Sequence, residues 1–129
     1  MRSESVVVDL SDRQEDVAEW LLSCPSMEEW FDPEHEHGHD FSHLDRPEIK
    51  RGKLFLEVDG HLLDNIDHEL DRYQDMALNS GMSAGKSAGA VRVAGNLKEK
   101  VLEACSDEVL DDCAEIQNKR FEAVKEAGN

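Results

Sequence analysis

Lysine is the residue this chain most conspicuously lacks: it has seven, against 30 Asp and Glu in 129 residues. Cysteine is scarcer still. Cys24, Cys105 and Cys113 are odd in number and show no C-x-x-C spacing, so neither a disulfide framework nor a zinc ribbon is indicated, and all three are expected as small buried hydrophobes. No apolar run approaches the ~18 residues of a membrane-spanning helix, and Met1-Arg2-Ser3-Glu4 opens no signal-peptide pattern. The expectation is a soluble protein working in the cytoplasm, or in a particle assembled there. Internal repeats are absent too.

What is abundant is negative charge, and the net value of -16 is the strongest compositional fact. A body so charged repels itself at low ionic strength and recovers when molar salt shortens the screening length to a few ångströms. Few Ile, few Lys and acids dispersed through every segment resemble the proteins of extreme halophiles, haloarchaea and their viruses above all. That resemblance concerns an environment and names no family. The competing reading is an acidic DNA-mimic decoy, which needs its carboxylates on one ordered face, whereas here they are spread. Leu, Ile, Val and Phe make up just over a fifth of the chain, slightly above the roughly 20% level below which a highly charged sequence stays disordered. A fold is therefore expected, with a thin core.

The chain is organised around residues 53–80. The run Leu54-Phe55-Leu56-Glu57-Val58 reads as a strand, Asp59-Gly60 as a tight turn, and Leu63, Ile66, Leu70, Tyr73 and Ala77 as the apolar stripe of a long helix, widened by Leu62 and Met76. Ahead of it, Val6-Val7-Val8 reads as a short buried strand or an arm laid against a partner. Ser11 with Gln14 has capping-box spacing for a helix through Val17, Trp20 and Leu21 that Pro25 stops, and Ser26 with Glu29 repeats the spacing for a shorter turn. Behind it, Ala90, Ala94, Leu97, Val101 and Ala104 mark a helix face, Ser106 and Asp107 a break and cap, and Val109, Leu110, Cys113, Ile116, Phe121 and Val124 a last helix.

Three stretches invite a functional reading. His35, His37 and His39 alternate, and His39 with His43 has helical spacing, so this loop is a candidate site for zinc or nickel; the plainer reading is a solvated polar loop that binds transition metals only weakly. Ser80 to Ser87 comes close to the phosphate-cradling G-x-x-x-x-G-K-S loop, but Ser80 replaces the first glycine and a helix precedes it where the motif needs a strand. Nucleotide hydrolysis is rejected on that ground. Finally, two islands are basic: Arg46, Lys50, Arg51 and Lys53 against Glu48 alone, and Lys86, Arg92 and Lys98 with no acid between residues 80 and 98. They meet either an acidic neighbour or the chain's own carboxylates.

The expected fold class is mainly α: a small helical bundle with one or two short β-strands and an irregular His-rich loop. It forms one domain, 1–129, with an N-terminal arm and helices over 1–31, the irregular His-rich and basic loop over 32–52, and a strand plus helical bundle over 53–127. No catalytic residues are expected, since no Ser or Cys nucleophile has a motif partner and paired carboxylates carry no information in so acidic a chain. The expected function is a non-enzymatic structural or interaction subunit of a larger homo-oligomeric assembly from a halophile or its virus, for example a virion head-to-tail neck adaptor. Its partners are copies of itself and other assembly subunits, with Trp30, Phe41, Arg46, Lys50, Arg51 and Arg92 as contact residues, and no cofactor beyond a weakly held divalent transition metal at His35, His37, His39 and His43. The alternatives are a regulatory metal-binding or nucleic-acid-associated module and the DNA-mimic decoy. The charge reading predicts that helical circular dichroism strengthens between about 0.1 and 2 M KCl; full helicity and unchanged stability at the lower salt contradict it.

Overall fold

The computed structural model describes residues 2–32, 34, 41–81 and 84–127. In chain order these form β1 (Glu4–Asp9), α1 (Asp12–Leu22), α2 (Pro25–Glu28), β2 (Glu48–Lys50), β3 (Lys53–Val58), α3 (Gly60–Leu78), α4 (Ala84–Ala104) and α5 (Asp107–Ala127). The protein is mainly α, with one antiparallel sheet of order β1-β3-β2. One or two strands were expected. The third, β2, lies inside the stretch read as irregular, because three residues are too short to show a period in sequence.

The sheet buries one face. Val6, Val8, Leu54, Leu56 and Val58 belong to a single core with α1, α3, α4 and the start of α5, whereas Val7 and Phe55 are 52% and 39% exposed on the other side. Val6-Val7-Val8 is thus neither continuously buried nor an arm on a partner: it pairs in register with β3, and the pleat sends alternate side chains to opposite faces. The β2–β3 connection turns through Arg51 (φ 56°) and Gly52 (φ 72°). Two successive positive φ values give the hairpin the twist its strands need, at an expense for Arg51 that Asn or Gly would avoid.

The helix starts follow local capping chemistry. Ser11 and Gln14 form both halves of the expected capping box. The second expected box does not form: Cys24 is the N-cap of α2, and Pro25 opens that helix at its first position, where a missing N–H costs nothing. Asp59-Gly60 is not a separate turn either. Asp59 is the N-cap of α3, its side chain accepting the Leu62 N–H, and the chain passes directly from strand to helix. Ser106 caps α5 as its spacing suggested, its hydroxyl accepting from Val109 N–H.

α3 is the centre of the helical layer. Leu62, Leu63, Ile66, Leu70 and Ala77 are buried as the stripe predicts, but Met76 is 48% exposed and Leu78 60% exposed at the far end. α4 runs back along α3: Ser87 donates to the Ala77 carbonyl, Gln74 to that of Val91, and Lys98 sits between Asp67 and Asp71. α5 packs on α3 in turn, with Gln117 donating to Asp67. Ile116 and Leu110 are only half-buried and Phe121 is 70% exposed, because a helix buries its stripe only where another element lies opposite. The three thiols are buried, and that burial pushes each pKa up to about 11. They are core residues and poor nucleophiles.

The start of α3 touches α5 closely enough to make Gly60 indispensable. A Cβ there would lie 2.7 Å from the Asp112 Cβ and 3.0 Å from the Asp112 carbonyl carbon and the Cys113 nitrogen. Gly60→Ala is expected to cost about 1–3 kcal/mol through this overpacking, although alanine has the better helix propensity; a variant as stable as the parent in denaturant titration at high salt would contradict the close approach.

Candidate functional site

The open face of the sheet is the candidate interaction surface. Strand register places Val7 beside Phe55 and Phe55 beside Glu48 in one cross-strand row, with Asp9, Lys53 and Lys50 in a second and Ser5 and Glu57 in a third. An apolar pair therefore lies between two ends of unlike charge. The hairpin end carries Lys50, Arg51 and Lys53 against Asp9 alone, Glu48 flanks Phe55 in the middle row, and Glu57 stands at the opposite end. A depression of about 400 Å3 on this face is lined by Val7 and Phe55 together with Arg46, Asp45, Glu48 and Glu57. The ion pairs already present, Lys50 with Glu48 at 3.0 Å and Lys53 with Asp9 at 3.7 Å, lie between exposed groups and hold little energy against competing solvent or a partner.

The residues expected to make contacts fall in three places. Lys50 and Arg51 are on the hairpin, and Arg46 precedes β2, donating to the Glu28 carbonyl at 2.9 Å. Trp30 and Phe41 do meet, with ring centroids 5.7 Å apart, and Phe31 joins them 5.4 Å from Phe41. Phe41, however, is only 2% exposed: it is a core residue of this chain and is not available as an anchor for another. The aromatics of residues 30–41 looked unpartnered because the segment lacks periodicity, yet they dock on the chain's own core. Arg92 is exposed on α4 and lines neither this face nor the cleft described next.

That cleft, of about 710 Å3, lies between the 41–44 segment, α3 and α5. It is lined by Trp30, Phe41, His43, His61, Asp64, Asn65, His68 and Arg120. His61, Asp64, Asn65 and His68 recur at three- and four-residue steps, so one stripe of α3 presents them together. His43 Nε2 lies 2.8 Å from Asp59 Oδ2, and Asp59 is 1% exposed. Of the expected metal ligands, His35, His37 and His39 lie outside the described residues. Among the described residues no three His, Cys, Asp or Glu side chains come together to hold a metal ion.

The basic segment at 80–98 serves the fold in part, since Lys98 neutralises Asp67 and Asp71. Gly85, Lys86 and Ser87 lie in the first turns of α4, where Ser87 donates to a carbonyl of α3. That contact is helix packing. Sequence reading missed Val7 and Phe55 as surface residues and the α3 histidines as a group. The first were hidden because neighbouring apolar residues mask strand alternation, whereas the spacing of His61, Asp64 and His68 was legible. No helix among the described residues is long and apolar enough to cross a membrane.

Phe41→Ala is expected to destabilise the chain by about 3–5 kcal/mol, the cost of a large cavity in a thin core; denaturant unfolding in molar KCl measures it, and an unchanged midpoint would return Phe41 to the surface. No family model, curated protein or solved structure matches this chain, so what it does rests on its own geometry.

Proposed function

We propose that the chain is a non-enzymatic structural subunit that assembles with copies of itself through the open face of its sheet. The observation that carries this reading is the Val7–Phe55 pair, exposed on a sheet face that is net positive at the hairpin, where Lys50, Arg51 and Lys53 outnumber Asp9, and negative from Glu48 beside Phe55 to Glu57 beyond it. A two-fold axis through such a face lays the basic end of one copy on the acidic end of the other and buries both apolar pairs between them. A second copy is thus a complementary occupant that brings its own counter-charges. The apolar pair supplies affinity, and the charges fix orientation and offset the long-range repulsion between two bodies of charge -16. Arg51 supports the reading from another direction: a cation occupies a positive-φ turn position where Asn or Gly fits at less strain. The setting that suits the composition is a salt-loaded cell or a virus assembled in one, and a virion neck adaptor is one kind of part with these needs.

Light scattering across a concentration series in about 2 M KCl tests this directly. The mass is expected to rise above the 14.6 kDa of one chain, and Phe55→Asp is expected to return it to that value while circular dichroism stays unchanged, since the residue faces away from the core. A parent chain that stays monomeric at high concentration, or a Phe55→Asp chain that assembles like the parent, would sink the proposal.

A further inference from the structure

The histidine-lined cleft is separate from the sheet face, and we infer that it binds a small planar organic anion, with an aromatic carboxylate as the simplest member of that class. Its volume of about 710 Å3 falls in the range of small-molecule sites. In a chain this acidic, the described carboxylates Asp59 and Asp64 at the cleft are already satisfied. Asp59 accepts from the Leu62 N–H at 2.8 Å and pairs with His43, and Asp64 pairs with Arg120. What the cleft still offers is donors: His61 and His68 are exposed with no hydrogen-bond or ion-pair partner among the described residues. Arg120 adds a guanidinium with five N–H groups, more than one carboxylate consumes.

One wall is of a different kind. Half-buried Trp30 packs there against the buried Phe41, the rings tilted 41° to each other, and presents its own apolar surface beside the donors. Charge at one end and a flat ring at the other is the pattern such a cleft accepts, with the carboxylate on imidazole and guanidinium and the ring against Trp30. A metal ion fits less well, because the permanent charge of Arg120 lines the same space and no three ligand groups among the described residues converge in it. The two remaining carboxylates of α3 nearby do not change this balance, since Asp67 and Asp71 are held by Lys98.

The two tryptophans make the test internally controlled. Trp30 lines the cleft, whereas Trp20 packs 5.1 Å from Tyr73 and under Arg72 at 5.3 Å. Benzoate is titrated into the whole chain, in the salt at which it folds, and the two indole N–H signals are followed by NMR. The Trp30 signal is expected to shift saturably while that of Trp20 stays, with neutral benzamide binding about tenfold more weakly or worse. The combined substitution His61→Ala and His68→Ala, at exposed positions that leave the fold intact, is expected to weaken benzoate by a similar factor. The inference is overturned if benzamide binds as well as benzoate, if Trp30 does not respond, if both indoles respond alike, or if the folded double variant binds like the parent. It is equally overturned if zinc chloride alone, and not benzoate, moves the Trp30 signal in a way the double variant abolishes, since the cleft is then a metal site.

Discussion

The buried carboxylate of Asp59 is the constraint on which the rest of the structure hangs. It stands where β3 becomes α3, and at 1% exposed it is more deeply buried than Glu69, at 8% the other buried carboxylate among the described residues. Such a group is tolerable only with fixed donors. One oxygen takes the Leu62 N–H at the positive end of α3, and the other faces His43 Nε2. The same side chain therefore starts the central helix, sets its direction relative to the strand and ties the 41–44 segment over its end. Next to it, Gly60 lets α5 approach to backbone contact. Sheet, loop, central helix and last helix all meet within two residues.

Cations are the limiting resource of this fold, and four of them join its elements. Arg72 holds the nearly buried Glu69 at 2.8 Å and covers Trp20, joining α3 to α1. Lys98 bridges Asp67 and Asp71; burial opposes its charge, but the two carboxylates outweigh burial and raise its pKa. Lys100 donates to the Asp9 carbonyl and to Gln14, clasping α4 to the end of β1 and the start of α1. Arg120 takes Asp64. On the β2–β3 hairpin Lys50 and Lys53 have exposed partners instead, as do Arg2 and Lys119 elsewhere. In the proposed assembly these hairpin cations, beside exposed Val7 and Phe55, face a neighbour's carboxylates.

Periodicity made the helices legible, and local chemistry made two of their starts legible. The α3 stripe, the Ser11–Gln14 box and the Ser106 cap all follow from spacing alone, and so does the class of the fold. Strand faces were harder. Val6-Val7-Val8 and Leu54-Phe55-Leu56 are apolar throughout, so nothing in either run says which residues turn outward; pairing decides it, and pairing is non-local. The same limit hid the home of Phe41, whose neighbours in space come from segments with no shared pattern. The α3 histidines differ, since their i, i+3, i+4, i+7 spacing with Asp64 and Asn65 was visible, but what gives it meaning is Arg120 arriving from α5.

Sheet-to-sheet association in one orientation is the central claim, and paramagnetic relaxation between copies tests it most directly. Because the three native thiols are buried with pKa values pushed up to about 11, a nitroxide attached to Ser5→Cys labels the open face alone. Unlabelled spin-tagged chain is mixed with isotope-labelled parent chain in about 2 M KCl. The account predicts broadening centred on the hairpin amides of Lys50, Arg51 and Lys53 in the other copy, because a two-fold contact sets the acidic end of one sheet over the basic end of the next. Broadening confined to the helices, or no intermolecular broadening at all, would contradict it.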